Sequence, residues 1–220
     1  MREIDEAFEL FDKGEFQQAE KLYLTYLMKL TDKTSAPYKA ILNGLGYVKS
    51  FQGQYREAKD YYQKLLEISK RQFDTKEEAI ALHQLGMVER MAGDYKKAKD
   101  YFSAEHEIWI REYPDFYVGF SANFYERGFI AARLKKYQEA LSLLNHALEY
   151  AFLAKDLIAQ GCAYRELGEL AASRSQIEQA KSHFQSAFSA FQEAKDEKAV
   201  EEIQHLLDRY GNAVSKDKEI

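Results

Sequence analysis

One stretch, Gly86 to Phe102 (GMVERMAGDYKKAKDYF), is repeated along the rest of the chain, and that repetition restricts the fold more than any other property. Its anchors are Gly86, then Gly93 and Tyr95 in a turn seven residues on, then Ala98 and Phe102. Upstream the set returns as Gly46, Gly53, Tyr55, Ala58 and Tyr62. Downstream it returns as Gly128, Lys135, Tyr137, Ala140 and Leu144, and again as Gly168, Ser175, Ile177, Ala180 and Phe184. The first glycine precedes the alanine by twelve residues in all four copies. Counting Ala19, successive anchor alanines lie 39, 40, 42 and 40 residues apart. A period near forty, made of helix, turn and helix, marks a repeat array in which each unit buries its apolar face only against its neighbours.

The anchors have physical reasons. Glycine inside a helix costs about 1 kcal/mol relative to alanine, so its return at one phase of every unit requires a place where no side chain fits. We therefore expect the paired helices to touch at Gly86 and Ala98. The turn Gly93-Asp94 reads as a stop for the first helix of the pair.

The pattern Leu82, Leu85-Gly86, Gly93-x-Tyr95, Ala98, Phe102 resembles the tetratricopeptide repeat, and Met1 to Asp32 reads as a fifth, incomplete copy through Gly14, Phe16, Ala19 and Tyr23. The closing proline of the usual 34-residue unit is missing, its place being taken by Lys70, Ile110, Phe152 and Gln192. The longer unit is similar to the forty-residue variety of bacterial peptide-sensing regulators and kinesin light chains. The resemblance implies an all-α fold: a right-handed superhelical array, or α-solenoid, of about five helix pairs. The units expected are 1–33, 34–73, 74–113, 114–154 and 155–194, forming one domain with a capping helix over 195–210. Ala199, Ile203, Leu206, Leu207 and Tyr210 give that last helix a single apolar face. Gly211 is expected to stop it, leaving 211–220 as a flexible tail.

Local signals refine the boundaries. Pro37 suits the first turn of a helix. Thr75-Lys76-Glu77-Glu78 reads as a capping box, which accounts for its acidic pair structurally. Pro114 separates the sixth helix from the seventh.

A net charge of −5 with both signs interspersed offers no basic face for nucleic acid or an anionic membrane surface. No apolar run approaches the length of a membrane span. The single cysteine, Cys162, excludes an intramolecular disulfide and favours a reducing compartment, so a cytoplasmic location is expected. No two of the five histidines lie three or four residues apart or show another zinc-ligand spacing, and Glu105-His106-Glu107 cannot converge on one ion because consecutive helical residues diverge by about 100°. Glycines occur singly, without a phosphate-binding loop. Neither a cofactor nor an enzymatic activity is expected.

The resemblance places the working surface on the first helix of each pair. Carried over by phase, the groove residues are Asn43 and Tyr47, His83 and Met87, Tyr125 and Phe129, and Arg165 and Glu169. Arg90, Arg133 and Arg165 would be cations along it. Such a groove suits a protein or peptide segment bearing an acidic group. The seventh helix carries two aromatic lines, Phe116, Phe120 and Phe124 toward the core and Tyr117, Tyr125 and Phe129 toward the groove, with Trp109 and Tyr113 expected to extend the second. A protein- or peptide-binding adaptor is the leading reading. A self-associating homodimeric scaffold is the alternative, and a regulator of an enzyme or transcription factor stands third.

Overall fold

The computed structural model describes the backbone of residues 2–216 and the side chains of residues 4–210. Among the described residues there are eleven helices and no strand. They are α1 (Arg2–Asp12), α2 (Phe16–Leu27), α3 (Ala36–Phe51), α4 (Tyr55–Gln72), α5 (Thr75–Met91), α6 (Tyr95–Glu112), α7 (Tyr117–Arg133), α8 (Tyr137–Ala154), α9 (Leu157–Ser173), α10 (Ile177–Ala194) and α11 (Glu197–Lys216). The chain forms two compact units, one ending at Glu112 and holding α1 to α6, the other beginning at Tyr113 and holding α7 to α11. Within each unit, every helix packs on the next along the chain. First helices also meet first helices, α1 against α3 in one unit and α7 against α9 in the other.

Eight turns close by one device. A residue with positive φ follows each of these helix ends, two residues on inside the pairs (Gly14, Gly53, Gly93, Lys135 and Ser175) and directly after the helix between them (Phe73, Lys155 and Lys195). The next N–H then reaches back to a carbonyl five residues earlier, as in Asp94 to Glu89 (2.9 Å), Lys136 to Ala131 (2.9 Å) and Asp156 to Ala151 (3.0 Å). This satisfies carbonyls that a helix end leaves orphaned. The turns between pairs also supply caps. The Ser35 hydroxyl accepts from Tyr38 N–H ahead of Pro37, and Asp156 and Asp196 accept from Ala159 and Ala199 N–H. At α5 the cap is Asp74, which accepts from Glu77 N–H at 3.1 Å, and not the expected Thr75. A carboxylate one residue earlier does the same work for a helix that starts at Thr75.

The repeated glycine is explained by a ring. A Cβ on Gly86 would stand 2.6 Å from the Phe102 side chain, and one on Gly168 would stand 2.5 Å from Phe184. The second helix therefore lays its aromatic anchor flat on the glycine of the first, while Ala98 and Ala180 are fully buried beside it. Conserving that space needs both members of the pair. At the chain's end, Gly211 does not stop α11, which continues to Lys216 where a tail was expected. Ile203 is buried, and Ala199, Leu206, Leu207 and Tyr210 pack with it against Phe184 and Phe191, so the face expected of a capping helix is in place. Residues 217–220, also assigned to the tail, lie outside the described residues.

Candidate functional site

In the first unit α3 presents Asn43 and Tyr47, and α5 presents His83, Met87 and Arg90. All five are half-buried, between core and solvent. The Tyr47 hydroxyl accepts from Gln84 Nε2 at 2.8 Å, a bond that joins α3 to α5. Burial pushes the Tyr47 hydroxyl pKa up, and its ring meets Phe11 and Tyr62. His83 is engaged inside its own repeat. Its Nδ1 stands 3.1 and 3.0 Å from the two oxygens of the buried Glu105 carboxylate, and its ring lies against Phe102. Towards an ionised carboxylate, which only accepts, Nδ1 serves as the donor in the tautomer that protonates it. Trp109 Nε1 donates to the same carboxylate at 2.8 Å. At 1% exposure Trp109 is core, so it does not extend a surface patch.

Asn43 differs from its neighbours. Its Oδ1 is shielded from solvent and has no hydrogen-bond partner among the described residues. On either side of it lies a hollow. One, of about 340 Å³, is bounded by α3, α4 and α5 through Lys39, Leu65, Ile80 and Gln84; the other, of about 390 Å³, is bounded by α1 and α3 through Asp5, Phe8, Glu9 and Tyr47. The contribution of α1 was not expected, because the sequence offers only an incomplete first repeat there.

In the second unit α7 presents Tyr125, Phe129 and Arg133, and α9 presents Arg165 and Glu169. Arg165 Nη2 donates to the Tyr125 hydroxyl at 3.4 Å, and its Nη1 lies 3.6 Å from Glu202 of α11. Burial pushes the Tyr125 pKa up to about 12, so the hydroxyl keeps its proton. The Arg133 guanidinium covers the Phe129 ring at 4.2 Å and stands 3.5 Å from the buried Glu166 carboxylate. Arg133 is exposed, and the other four are half-buried. Tyr117 does not join the groove line: it stacks on Tyr150 of α8, as Phe120 and Phe124 do. Phe116 precedes α7 as its N-cap residue.

Glu126, Glu166 and Gln84 occupy one repeat phase, two residues before the anchor glycine, and all three are buried. Their shared phase is readable in the sequence, but nothing in a polar side chain there signals burial. Among the described residues no group of three or more His, Cys, Asp or Glu is placed to hold a metal ion, and no helix is long and apolar enough to cross a membrane.

This architecture agrees with comparison to known proteins. The tetratricopeptide repeat pattern matches residues 39–111 and 120–193, more than half of the chain, and the chain belongs to that family. No curated protein matches it in sequence. Among solved structures it is similar to BtubC (BKLC) from P. vanneervenii, with TM-score 0.64 and 14% identity over 92% of this chain and 90% of that one. It is also similar to a Podosopora anserina putative kinesin light chain with nearly identical repeats, with TM-score 0.63 and 16% identity over 89% and 95%. A Rap protein complexed with competence and sporulation factor gives TM-score 0.57 and 16% identity over 97% of this chain and 61% of the Rap chain. At these identities the likeness is one of fold.

Proposed function

We propose that this chain is a non-catalytic, cytoplasmic binding module that takes peptide or protein segments on the faces of its first helices, α3 and α5 in the first unit and α7 and α9 in the second. The observation that carries this reading is the layer of side chains on those faces. Tyr47, Met87, Tyr125, Phe129 and Arg165 are half-buried, all but Met87 are engaged by a neighbouring side chain, and Tyr, Met, Phe and Arg are residue types that anchor interfaces. Preset side chains lose little entropy when a partner covers them. Membership in the tetratricopeptide repeat family supports the reading, as does a Rap neighbour solved in complex with competence and sporulation factor.

The test captures partners with the full chain, then measures binding of synthetic peptides tiling each captured protein by calorimetry. Tyr47→Ala/Met87→Ala and Tyr125→Ala/Phe129→Ala serve as comparisons, each checked for retained helicity. Loss of peptide binding in a folded variant supports the reading; binding unchanged in both variants would falsify it. Self-association is favoured by a separate observation, the exposure of Met28, Phe51, Phe73 and Phe152, each more than half accessible. A stable dimer by light scattering, dissolved by polar substitution at those positions, would establish that second reading.

A further inference from the structure

The two hollows beside Asn43 differ in charge, and that difference specifies a ligand. In the α1–α3 hollow the ionisable carboxylates are Asp5 and Glu9, one helical turn apart on α1, with the Phe8 ring half exposed between them in sequence. Like charges at this spacing destabilise a helix slightly, and Lys13, four residues after Glu9 in sequence, offers a local partner to only one of the two. The cations of the neighbouring helix are engaged elsewhere: Lys49 is buried between Glu20 and Glu57, and Lys39 faces Asp74 and Gln72. The negative field reaches the floor of the hollow, where burial and then the carboxylates of Asp12 and Asp5 push the Tyr23 hydroxyl pKa up.

The second hollow is different. Leu65, Ile80, Ala36 and Ala81 give it apolar walls, and its two charges, Lys39 and Glu77, are of opposite sign. Asn43 stands at the boundary, lining both, with its buried Oδ1 unmatched. A buried acceptor without a donor is costly, and a small rotation of the amide would offer it to a ligand N–H.

Resting on the reading of these faces as peptide-binding, we infer that the first unit takes an extended peptide carrying a lysine or arginine in the Asp5–Glu9 hollow and an apolar side chain in the Leu65–Ile80 hollow. The Asn43 amide holds the backbone between them. Charge complementarity selects the cation, and the Phe8 ring adds a face on which it can lie. The two hollows share Asn43 in their linings, and an extended chain advances about 3.3 Å per residue, so a peptide passing it reaches both within a few residues.

The experiment exposes the full chain to an immobilised positional-scanning library of nine-residue peptides and reads enrichment at each position. The expected enrichment is Lys or Arg within a few residues of Leu, Ile, Met or Phe, with at least ten-fold weaker retention when the cation is replaced by Glu. In Asp5→Lys/Glu9→Lys, two exposed positions, the preference should invert toward acidic peptides; Asp5→Asn/Glu9→Gln should abolish it without inversion, and circular dichroism confirms that each variant is folded. Enrichment of peptides that ignores charge, or stays cationic in the Lys variant, overturns the assignment while leaving peptide binding itself standing. No enrichment above scrambled peptides in the native chain overturns both.

Discussion

At equivalent positions the two units join their first helices by different chemistry. In the first, Tyr47, one residue after its anchor glycine, receives a neutral hydrogen bond from Gln84 on the next first helix. In the second, that phase holds Phe129, which has no hydroxyl, and the partner phase holds the buried carboxylate of Glu166. Arg133 answers both by covering the ring and facing the carboxylate. A second difference lies three residues before the glycine. Tyr125 and Arg165 meet there in the second unit, whereas His83 is drawn to Glu105 and Asn43 Oδ1 is left without a partner in the first. The second unit's face is thus cross-linked at both phases and the first unit's at one. The hollows beside Asn43 are the consequence. One backbone design tolerates either arrangement because the glycine and ring anchors hold the helices in place independently of the surface pairs.

That independence can be broken at the anchor. Gly86→Leu places a side chain where Phe102 already sits, and Trp109, the chain's single tryptophan, reports on the same repeat. We expect a loss of about 3 kcal/mol, the upper end of overpacking, in urea unfolding followed by tryptophan fluorescence. A neutral substitution would mean that Phe102 does not rest on the glycine.

Glu105 marks the next difference. Seven residues after Ala98 the first unit buries a carboxylate, whereas the matching positions of the second unit are the fully buried Ala147 and Ala187. Glu105→Ala strips the acceptor from Trp109 Nε1 and from His83. Two donors lose one charged partner, so a loss of about 2 kcal/mol is expected, with a shift in Trp109 emission. Unchanged stability and emission would show that the carboxylate carries no structural load.

The cross-links themselves give a smaller, asymmetric pair. Tyr47→Phe leaves the buried Gln84 amide unmatched and should cost about 1 kcal/mol, while Tyr125→Phe leaves Arg165 its contact with Glu202 and should cost about 0.5 kcal/mol or less. Thermal melts of both variants decide the point; equal losses would erase the distinction drawn between the units.

Much of this was legible from residues alone, and the exceptions have a common cause. Helix order and the pair phase followed from Gly86, Ala98 and their repeats, because period and small-residue spacing are local, whereas the row of first-helix positions was carried over from the family resemblance. Asp74 was missed as a cap since Thr75 is also a good one, and only backbone geometry separates them. Trp109 was placed on the surface because its sequence gives no sign of Glu105 one turn away reaching its indole. The part played by α1 was hidden for the same reason: only with α3 laid beside it do Asp5 and Glu9 border a hollow. Residues whose role depends on a neighbouring helix are the ones that sequence leaves open.

Effects of similar size test the turns, where the units again diverge. Gly93 and Lys135 hold the same place after a first helix, with φ of 83° and 58°. A Cβ at Gly93 would meet nothing within 4 Å, so any cost of substitution there is conformational and not steric crowding. Left-handed backbone costs a non-glycine residue about 1 kcal/mol, so Gly93→Ala should destabilise by roughly that amount. Lys135→Gly removes the same strain in the second unit but loosens the unfolded chain, which offsets up to about half of the gain. A net gain near 0.5 kcal/mol is the expected result, read as a rise in the urea midpoint by circular dichroism. The two changes should therefore have opposite signs. If Lys135→Gly were instead destabilising, the lysine would be holding the turn through its side chain, and the glycine turns of the first unit would be the weaker of the two designs.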